Sequence, residues 1–289
     1  MSLAVLKSRA LAGMQAPQVT VEVHLANGLP GFTIVGLPET EVKESKDRVR
    51  AALQNARFDF PNQRITVNLA PADLPKESGR FDLPIAIGIL AASGQIPSEE
   101  LADYEFAGEL SLSGQLRPIR GALAMTFAMQ QSGQCSFILP QENADEAALV
   151  SSASIYPAPS LLEVCRHFSA RDAQSRLQKH QPQLQTTRPN YADFADVKGQ
   201  QQAKRALEVA AAGNHSILMM GPPGTGKSML AARFAGILPA MTEQEALESA
   251  AVQSLSSGFS SSRWKQRPFR APHHTASGVA LVGGGCQIH

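Results

Sequence analysis

Alternating apolar and polar positions predict strands throughout the first half of the chain. Apolar residues occupy every second position over 19–25 and again over 65–69, which is the period of a half-buried strand. Residues 32–35 form another β-prone run, which ends at a Gly-Leu-Pro turn. Further strands are expected near Phe106 and over 136–139.

Helical spacing appears between these strands. Residues 39–57 place their apolar side chains on one face, whereas residues 85–92 are apolar on every side and predict a buried helix. Asp82 is expected to cap that buried helix, with Pro84 in its first turn. Further helices are expected over 121–131, from about residue 142, and over 200–212. Strands that alternate with helices in this way indicate an α/β fold.

A change in composition divides the chain into two domains, and its length of 289 residues suits about two. Residues 171–190 hold five glutamines and two prolines but few large apolar side chains. Such a stretch cannot bury enough surface to fold by itself. We therefore predict a first domain over 1–168, a linker over 169–190 and a second domain over 191–289.

Composition and charge narrow the class of protein. The longest apolar run, around 85–92, is about half of the roughly 20 residues that a membrane-crossing helix needs, so we expect no contact with a membrane. Three widely spaced cysteines favour neither a disulfide framework nor a zinc site, and a soluble, cytoplasmic protein is expected. Residues 1–165 carry 12 basic against 18 acidic side chains, and residues 166–289 carry 14 against 7. This asymmetry fits an anionic partner for the second part, and equally an incidental imbalance of the surface.

The most informative stretch is Gly221-Pro222-Pro223-Gly224-Thr225-Gly226-Lys227-Ser228, which fits the phosphate-loop pattern G-x-x-x-x-G-K-[ST]. Glycines let the backbone N–H groups face a phosphate, and the helix that starts near Lys227 adds its positive end. Lys227 is expected to bridge the β- and γ-phosphates, and Ser228 to ligate Mg²⁺. An apolar strand over 215–220 and a helix over 229–238 are expected around the loop. We predict nucleotide binding, with the nucleoside left open.

Hydrolysis by this class of loop needs a second, acidic element at the end of an apolar strand. The acids after Ser228 are Glu243, Glu245 and Glu248, and all three lie in a helix-like segment. We therefore predict no catalytic residue in this chain and a nucleotide-binding domain that stops midway.

Other motifs resemble a known family. The segment 193–200, Asp-Phe-Ala-Asp-Val-Lys-Gly-Gln, resembles the first segment of AAA+ ATPase domains. The stretch 267–277, Arg-Pro-Phe-Arg-Ala-Pro-His-His-Thr-Ala-Ser, and the glycines 283–285 are similar to magnesium-chelatase-like AAA+ proteins. In the first half, the Gly-Leu-Pro turn at 36–38 and the stretch 68–76, Asn-Leu-Ala-Pro-Ala-Asp-Leu-Pro-Lys, fit as well. Over residues 1–285 the chain resembles the bacterial competence-protein family ComM, also called YifB.

The resemblance implies a fold, a cofactor and partners. The first domain is expected to have the Lon-protease-like α+β fold, related to domain 2 of ribosomal protein S5, and the second to be a truncated P-loop AAA+ α/β domain. Members of the family are expected to use ATP and Mg²⁺, to form homo-oligomeric rings such as hexamers, and to drive DNA branch migration in transformation and recombination. By the same resemblance, Val197 and Gly199 are expected on the adenine side.

Two departures from the resemblance bear on activity. Lon-type proteases use a serine near the stretch equivalent to 75–82 and a lysine in the following helix. Residues 114–140 contain no lysine, so Ser78 lacks an activating base and we expect no peptidase activity. After the three glycines the family continues toward an acidic strand, whereas this chain has only residues 286–289. A frameshift, a natural truncation or a shortened expression clone would each explain the difference.

Two alternative functions stay open. A magnesium-chelatase-type motor for metal insertion into a tetrapyrrole has similar ATPase motifs, although such motor subunits lack the Lon-like domain. The other alternative is a fragment that binds nucleotide without turnover.

Basic and aromatic residues alternate shortly before the end of the chain. The candidates for contact with DNA are Arg263, Trp264, Lys265 and Arg267, whose charges suit a phosphate backbone and whose ring suits base stacking. The alternative is a subunit-contact or ligand-facing loop of a ring ATPase. The adjacent His273 and His274 lack the spacing of a helical metal-binding pair, and a hydrogen-bonding role is expected for them.

Overall fold

The computed structural model of the chain describes residues 3–12, 15–134, 136–182, 191–255, 263–273, 275, 276 and 278. These residues form two compact units. The first unit is drawn from Met1–Thr187 and Leu247–Trp264, and the second from Arg188–Ala246 and Lys265–His289. The sequence gives no sign that the stretch 247–264 belongs with the first unit.

A seven-stranded, mostly parallel sheet organises the first unit. Its strands are β1 (Leu3–Arg9), β2 (Gln18–Ala26), β3 (Gly31–Val35), β4 (Arg64–Ala70), β5 (Tyr104–Phe106), β8 (Ser136–Pro140) and β9 (Ser154–Ala158), and a separate antiparallel pair is formed by β6 (Glu109–Leu110) and β7 (Leu116–Arg117). The order across the sheet is β3-β4-β2-β1-β5-β8-β9. Strand β2 is antiparallel to both β1 and β4, and the other neighbours are parallel. The predicted mixed α/β fold is confirmed.

Helices follow the strands of this sheet along the chain. They are α1 (Thr40–Lys43), α2 (Ser45–Asn55), α3 (Asp82–Ala92), α4 (Ala122–Gln131), α5 (Ala144–Ala147) and α6 (Leu161–Ser169), with 3₁₀ turns at Gly79–Phe81, Leu101–Asp103, Gln141–Asn143 and Ala173–Ser175. Helix α3 is buried along its whole length and contacts β1 and β2, as its unbroken apolar sequence predicts. Strands β1 and β9 and helix α6 were not predicted.

Asp82 begins α3 but does not cap it, so that prediction was wrong. Its fully buried carboxylate accepts hydrogen bonds from Arg48 Nε at 2.7 Å, from the backbone N–H of Leu110 at 3.1 Å and from the hydroxyl of Ser45. A guanidinium is a stronger donor for a carboxylate than a helix N–H, and Arg48 reaches this carboxylate from α2. The single helix predicted over 39–57 is divided into α1 and α2 at Glu44, the residue before Ser45.

Gly36 allows the chain to leave β3 in close contact with β4. Its φ is 99°, and a Cβ at this position would lie 2.1 Å from the carbonyl oxygen of Leu69. No side chain fits in that distance, and Val35 pairs with Asn68 at the neighbouring position of the ladder. The first residue of the Gly-Leu-Pro turn is therefore required by packing.

Residues 171–182 pack against the first unit, whereas their composition predicted a linker. The guanidinium of Arg176 forms two hydrogen bonds with the carboxylate of Glu100, at 2.8 and 2.9 Å. The backbone N–H of Leu177 donates to Nδ1 of His167 at 3.0 Å. Composition does not reveal this attachment because it depends on a few specific polar pairs and on a single leucine, Leu177, that packs against the core.

The second unit contains α7 (Gln201–Gly213), α8 (Lys227–Ile237) and the start of α9 (Glu243–Leu255), with a 3₁₀ turn at Phe194–Asp196. Its buried apolar cluster consists of Val197, Leu207 and Leu230. The strand predicted over 215–220 is absent, because a strand needs a paired neighbour and the described residues of this unit contain none. Leu218 and Met220 are accordingly more than 80% exposed, at 82% and 84%. None of the helices in the described part of the chain is long and apolar enough to cross a membrane.

A buried ion pair connects β1 to β5 in the first unit. The guanidinium of Arg9 donates to both carboxylate oxygens of Glu105, at 2.7 and 2.8 Å, and its third nitrogen donates to the carbonyl of Ala16 at 2.9 Å. The side chains are only 3% and 0% exposed. Such a pair is tolerated in a core because these hydrogen bonds compensate for the loss of hydration.

We predict that Arg9→Met lowers the free energy of unfolding by about 3–5 kcal/mol, because it leaves the Glu105 carboxylate buried without a counterion. The control is Arg166→Met, which breaks a solvent-exposed pair with Glu163 and is expected to cost less than about 1 kcal/mol. Urea denaturation of both variants measures the difference. Equal losses would show that the buried pair does not stabilise the unit.

The partly buried carboxyl of Glu146 is expected to make the stability of the first unit depend on pH. It accepts hydrogen bonds from the backbone N–H of Leu123 at 3.3 Å and from the hydroxyl of Ser254, and burial raises the pKa of its carboxyl above the ordinary 4.5. The folded state then keeps a proton that the unfolded chain has lost, so this carboxyl reduces stability as the pH rises through its raised pKa. Glu146→Gln keeps the shape and cannot titrate.

The stability of Glu146→Gln relative to the parent chain is therefore expected to increase with pH, from the ordinary pKa of a glutamate until the raised pKa is passed. Urea denaturation at a series of pH values measures this difference. A difference that stays constant over the series would contradict the raised pKa.

Candidate nucleotide-binding site

A glycine-rich turn leads into α8. Gly221, Gly224 and Gly226 have positive φ angles of 155°, 83° and 84°. Glycine adopts such angles readily, whereas a side chain would strain them. A Cβ at Gly224 would meet nothing within 4 Å, so the backbone conformation, not a lack of space, requires glycine there.

Two prolines determine which N–H groups the loop offers. Pro222 and Pro223 have no N–H, so the donors of the turn come from residues 224–228, which lead into the first turn of α8. The first N–H groups of a helix have no partner within it, and the helix dipole adds partial positive charge at that end. The turn therefore has the donors and the polarity of an anion site.

The ammonium group of Lys227 folds back over this turn. Its Nζ donates to the carbonyl oxygens of Gly221 at 2.9 Å and Pro222 at 2.8 Å, and lies 3.3 Å from the hydroxyl of Thr225. These acceptors are uncharged, and hydrogen bonds between an ammonium group and phosphate oxygens are stronger. Lys227 is thus placed to exchange loop carbonyls for an anion.

Ser228 is the second residue of α8, and it is exposed. Mg²⁺ in phosphate sites takes one or two protein oxygen ligands and the phosphates of the substrate, which a hydroxyl at this position fits. No group of three or more His, Cys, Asp and Glu side chains within the described part of the chain is placed to hold a metal ion. His273, which lies outside this loop, has its Nδ1 2.7 Å from the hydroxyl of Thr275, while His274 falls outside the described residues.

Arg233 attaches the segment 193–200 to α8. Its Nε donates to the carbonyl of Asp193 at 3.0 Å, and its Nη2 lies 3.3 Å from the carboxylate of Asp196. The side chain of Val197 is 2% exposed and belongs to the apolar cluster of the second unit. A residue that is buried as a whole offers little surface to a ligand, and the place of Val197 beside adenine stays a prediction.

Gln200 joins the same segment to the phosphate loop. Its Nε2 donates to the carbonyl of Thr225 at 3.0 Å, and it follows Gly199, whose φ is 69°. Both Gln200 and Thr225 line a cleft of about 380 Å³ between α7 and the loop, together with Lys227. Neither Gln200 nor Arg233 was predicted from the sequence to be a site residue. The available signal was a glutamine at the start of α7, where a capping Ser or Asp is usual.

The four candidate DNA-contact residues fall in both units. Arg263 is exposed and Trp264 is 7% exposed, both in the first unit, whereas Lys265 and Arg267 belong to the second. A nucleobase stacks on an open ring face, and Trp264 is buried. The stacking role predicted for Trp264 was therefore wrong. Arg267 donates to the carbonyl of Pro239 at 2.8 Å. Arg263 and Lys265 are left as exposed cations.

Ser78 lies beside the guanidinium of a buried arginine. Its hydroxyl accepts a hydrogen bond from Nε of Arg80 at 2.8 Å, and Arg80 is 5% exposed. Burial lowers the pKa of Arg80 to about 10, so its guanidinium stays charged at neutral pH and cannot accept a proton. The buried Lys76 donates to the carbonyl of Pro71. The hydroxyl of Ser78 is therefore held by a donor that does not activate it.

Two family models match the chain. One is described as subunit ChlI of Mg-chelatase and matches residues 21–143, and the other, described as magnesium chelatase, subunit ChlI, matches residues 193–289. The phosphate loop lies inside the second match.

Curated proteins of greater length are similar to almost the whole chain. It is 54% identical to the competence protein ComM of Haemophilus influenzae, over 99% of this chain and 56% of that protein. It is 50% identical to the uncharacterized protein YifB of Salmonella typhimurium, again over 99% and 56%. A Lon protease of Rhizobium meliloti is 24% identical over 53% of this chain and 20% of its own length. The chain thus spans about half the length of ComM and YifB, and it belongs to the ComM/YifB family of magnesium-chelatase-like proteins.

Proposed function

We propose that the chain binds ATP with Mg²⁺ through the loop 221–228, and that it is part of an AAA+-type ATPase that acts in competence and transformation. The observation that carries the proposal is the loop itself, in which three left-handed glycines precede the first turn of α8 and Lys227 folds over them. Family membership supports the choice of adenine nucleotide and of the cellular process.

Each part of the loop has a separate task in this proposal. The backbone N–H groups of residues 224–228 hold phosphate oxygens, and the ammonium of Lys227 neutralises the β- and γ-phosphates. The hydroxyl of Ser228 ligates Mg²⁺, which supplies further neutralisation of the phosphates when it is bound. The backbone at Val197 and Gly199 borders the adenine.

For the longer protein, we propose ATP-driven branch migration of DNA by a homo-oligomeric ring. The excess of 14 basic over 7 acidic side chains in residues 166–289 and the exposed Arg263 and Lys265 support contact with a polyanion. A magnesium-chelatase motor is the alternative, since both family models carry that description. Identities of 54% with ComM and 50% with YifB, each over 99% of the chain, favour the competence family.

Nucleotide binding by the 289-residue chain is tested with Lys227→Ala. Two charge-assisted hydrogen bonds are lost, each worth about 1.5–3 kcal/mol, so the affinity for Mg²⁺–ATP is expected to fall at least about 100-fold. Lys204→Ala, which removes a cation from α7, is the matched control and is expected to bind like the parent. Isothermal titration calorimetry measures all three. Equal affinities for Lys227→Ala and the parent would refute the assignment of the loop.

The DNA function is tested with the full-length protein. Its ATP hydrolysis is expected to increase on addition of branched DNA, and to depend on salt because phosphate contacts release counterions. A coupled assay of phosphate release measures the rate with and without DNA. A rate that DNA leaves unchanged, but that a tetrapyrrole substrate increases, would favour the chelatase alternative.

A further inference from the structure

Gln200 does not perform the usual task of a residue at a helix start. It is the N-cap of α7, but its side chain accepts no hydrogen bond from the N–H groups of that helix. Its backbone is left-handed, with a φ of 57°, directly after Gly199 with 69°, and residues with a side chain seldom adopt this conformation. The side chain extends instead to the phosphate loop, where Nε2 donates to the carbonyl oxygen of Thr225.

This hydrogen bond determines the orientation of one peptide plane. In a trans peptide the C=O and the N–H point in opposite directions, so a Thr225 carbonyl held toward Gln200 directs the N–H of Gly226 away from it. That N–H immediately precedes those of Lys227 and Ser228 at the start of α8. Successive N–H groups in a left-handed turn form an anion-binding concavity. The contact therefore fixes the direction of the Gly226 N–H, the donor directly before the first residue of α8.

We propose that Gln200 is a positioning residue for the phosphates of the bound nucleotide and acts through the Thr225–Gly226 peptide. The proposal rests on the proposed nucleotide binding. It also connects the two ends of the site, because Gln200 directly follows Gly199, which is expected on the adenine side, and reaches a residue 25 positions later in the phosphate loop.

The test uses Gln200→Met, which keeps the length of the side chain and removes the donor at an exposed position. The 289-residue chain is titrated by calorimetry with Mg²⁺–ATP and with magnesium tripolyphosphate, which lacks the nucleoside. Loss of one hydrogen bond is expected to weaken both ligands by the same factor, about three- to tenfold. Gln202→Met, two residues along α7 and also exposed, is the matched control and leaves both affinities unchanged.

A spectroscopic signature separates positioning from a general structural role. In protein labelled with ¹⁵N-glycine, the Gly226 amide resonance of the parent is expected to shift when tripolyphosphate binds. In Gln200→Met the shift is expected to be smaller, while the melting temperature stays that of the parent. Gln200→Glu has the same size but no amide donor, and it serves as the second variant if Gln200→Met does not fold.

The outcomes distinguish this inference from the proposed function. If Lys227→Ala abolishes binding while Gln200→Met and Gln200→Glu stay within about twofold of the parent, the inference is overturned and nucleotide binding stands. A loss of affinity for ATP without a loss for tripolyphosphate also overturns it, because the effect would then lie at the nucleoside. If the parent binds neither ligand, the proposed function fails and the inference fails with it.

Discussion

A loop that binds phosphate with its own backbone has to hold several peptide planes in conformations that most residues avoid. In this chain the constraint is met by Gly221, Gly224 and Gly226, and two further side chains of the second unit support the loop and the helix after it. Gln200 binds one of its carbonyls, and Arg233 attaches the preceding segment to the helix that the loop begins. The apolar cluster beneath is small, so specific polar contacts fix the geometry that the chemistry needs.

The core of the first unit is larger than that of the second, and it contains charged side chains. Arg9 with Glu105, and Arg48 with Asp82, are ion pairs with a fully buried carboxylate, and each carboxylate accepts more than one hydrogen bond. Removing one partner of such a pair is costly, whereas other arrangements of the same chain leave these groups unsatisfied. The first pair joins β1 to β5 and the second joins α2 to α3, so each contributes to specifying which elements lie next to one another.

Short-range sequence patterns predicted most of the helices and strands whose formation depends on neighbouring residues. The alternation over 19–25 and the apolar run over 85–92 correspond to β2 and α3, and glycines with positive φ lie before α8 where the spacing predicts a phosphate loop. Several of the failures depend on partners that are distant in sequence. Asp82 was predicted to cap α3, but its carboxylate binds Arg48. Trp264 was predicted to stack on a base, but it is buried. The contact from Gln200 to Thr225 is of the same kind, because no spacing rule joins residues 25 positions apart.

Gly36 shows that a residue typical of a family can be required by the fold and not by the activity. A β-carbon there would collide with the carbonyl of Leu69, so selection for a folded sheet is enough to preserve this glycine over long evolutionary times. A descendant that had lost its phosphate loop would still keep the glycine. Sequence similarity confined to the first unit therefore indicates common ancestry. Whether a relative binds nucleotide has to be judged from the loop before α8.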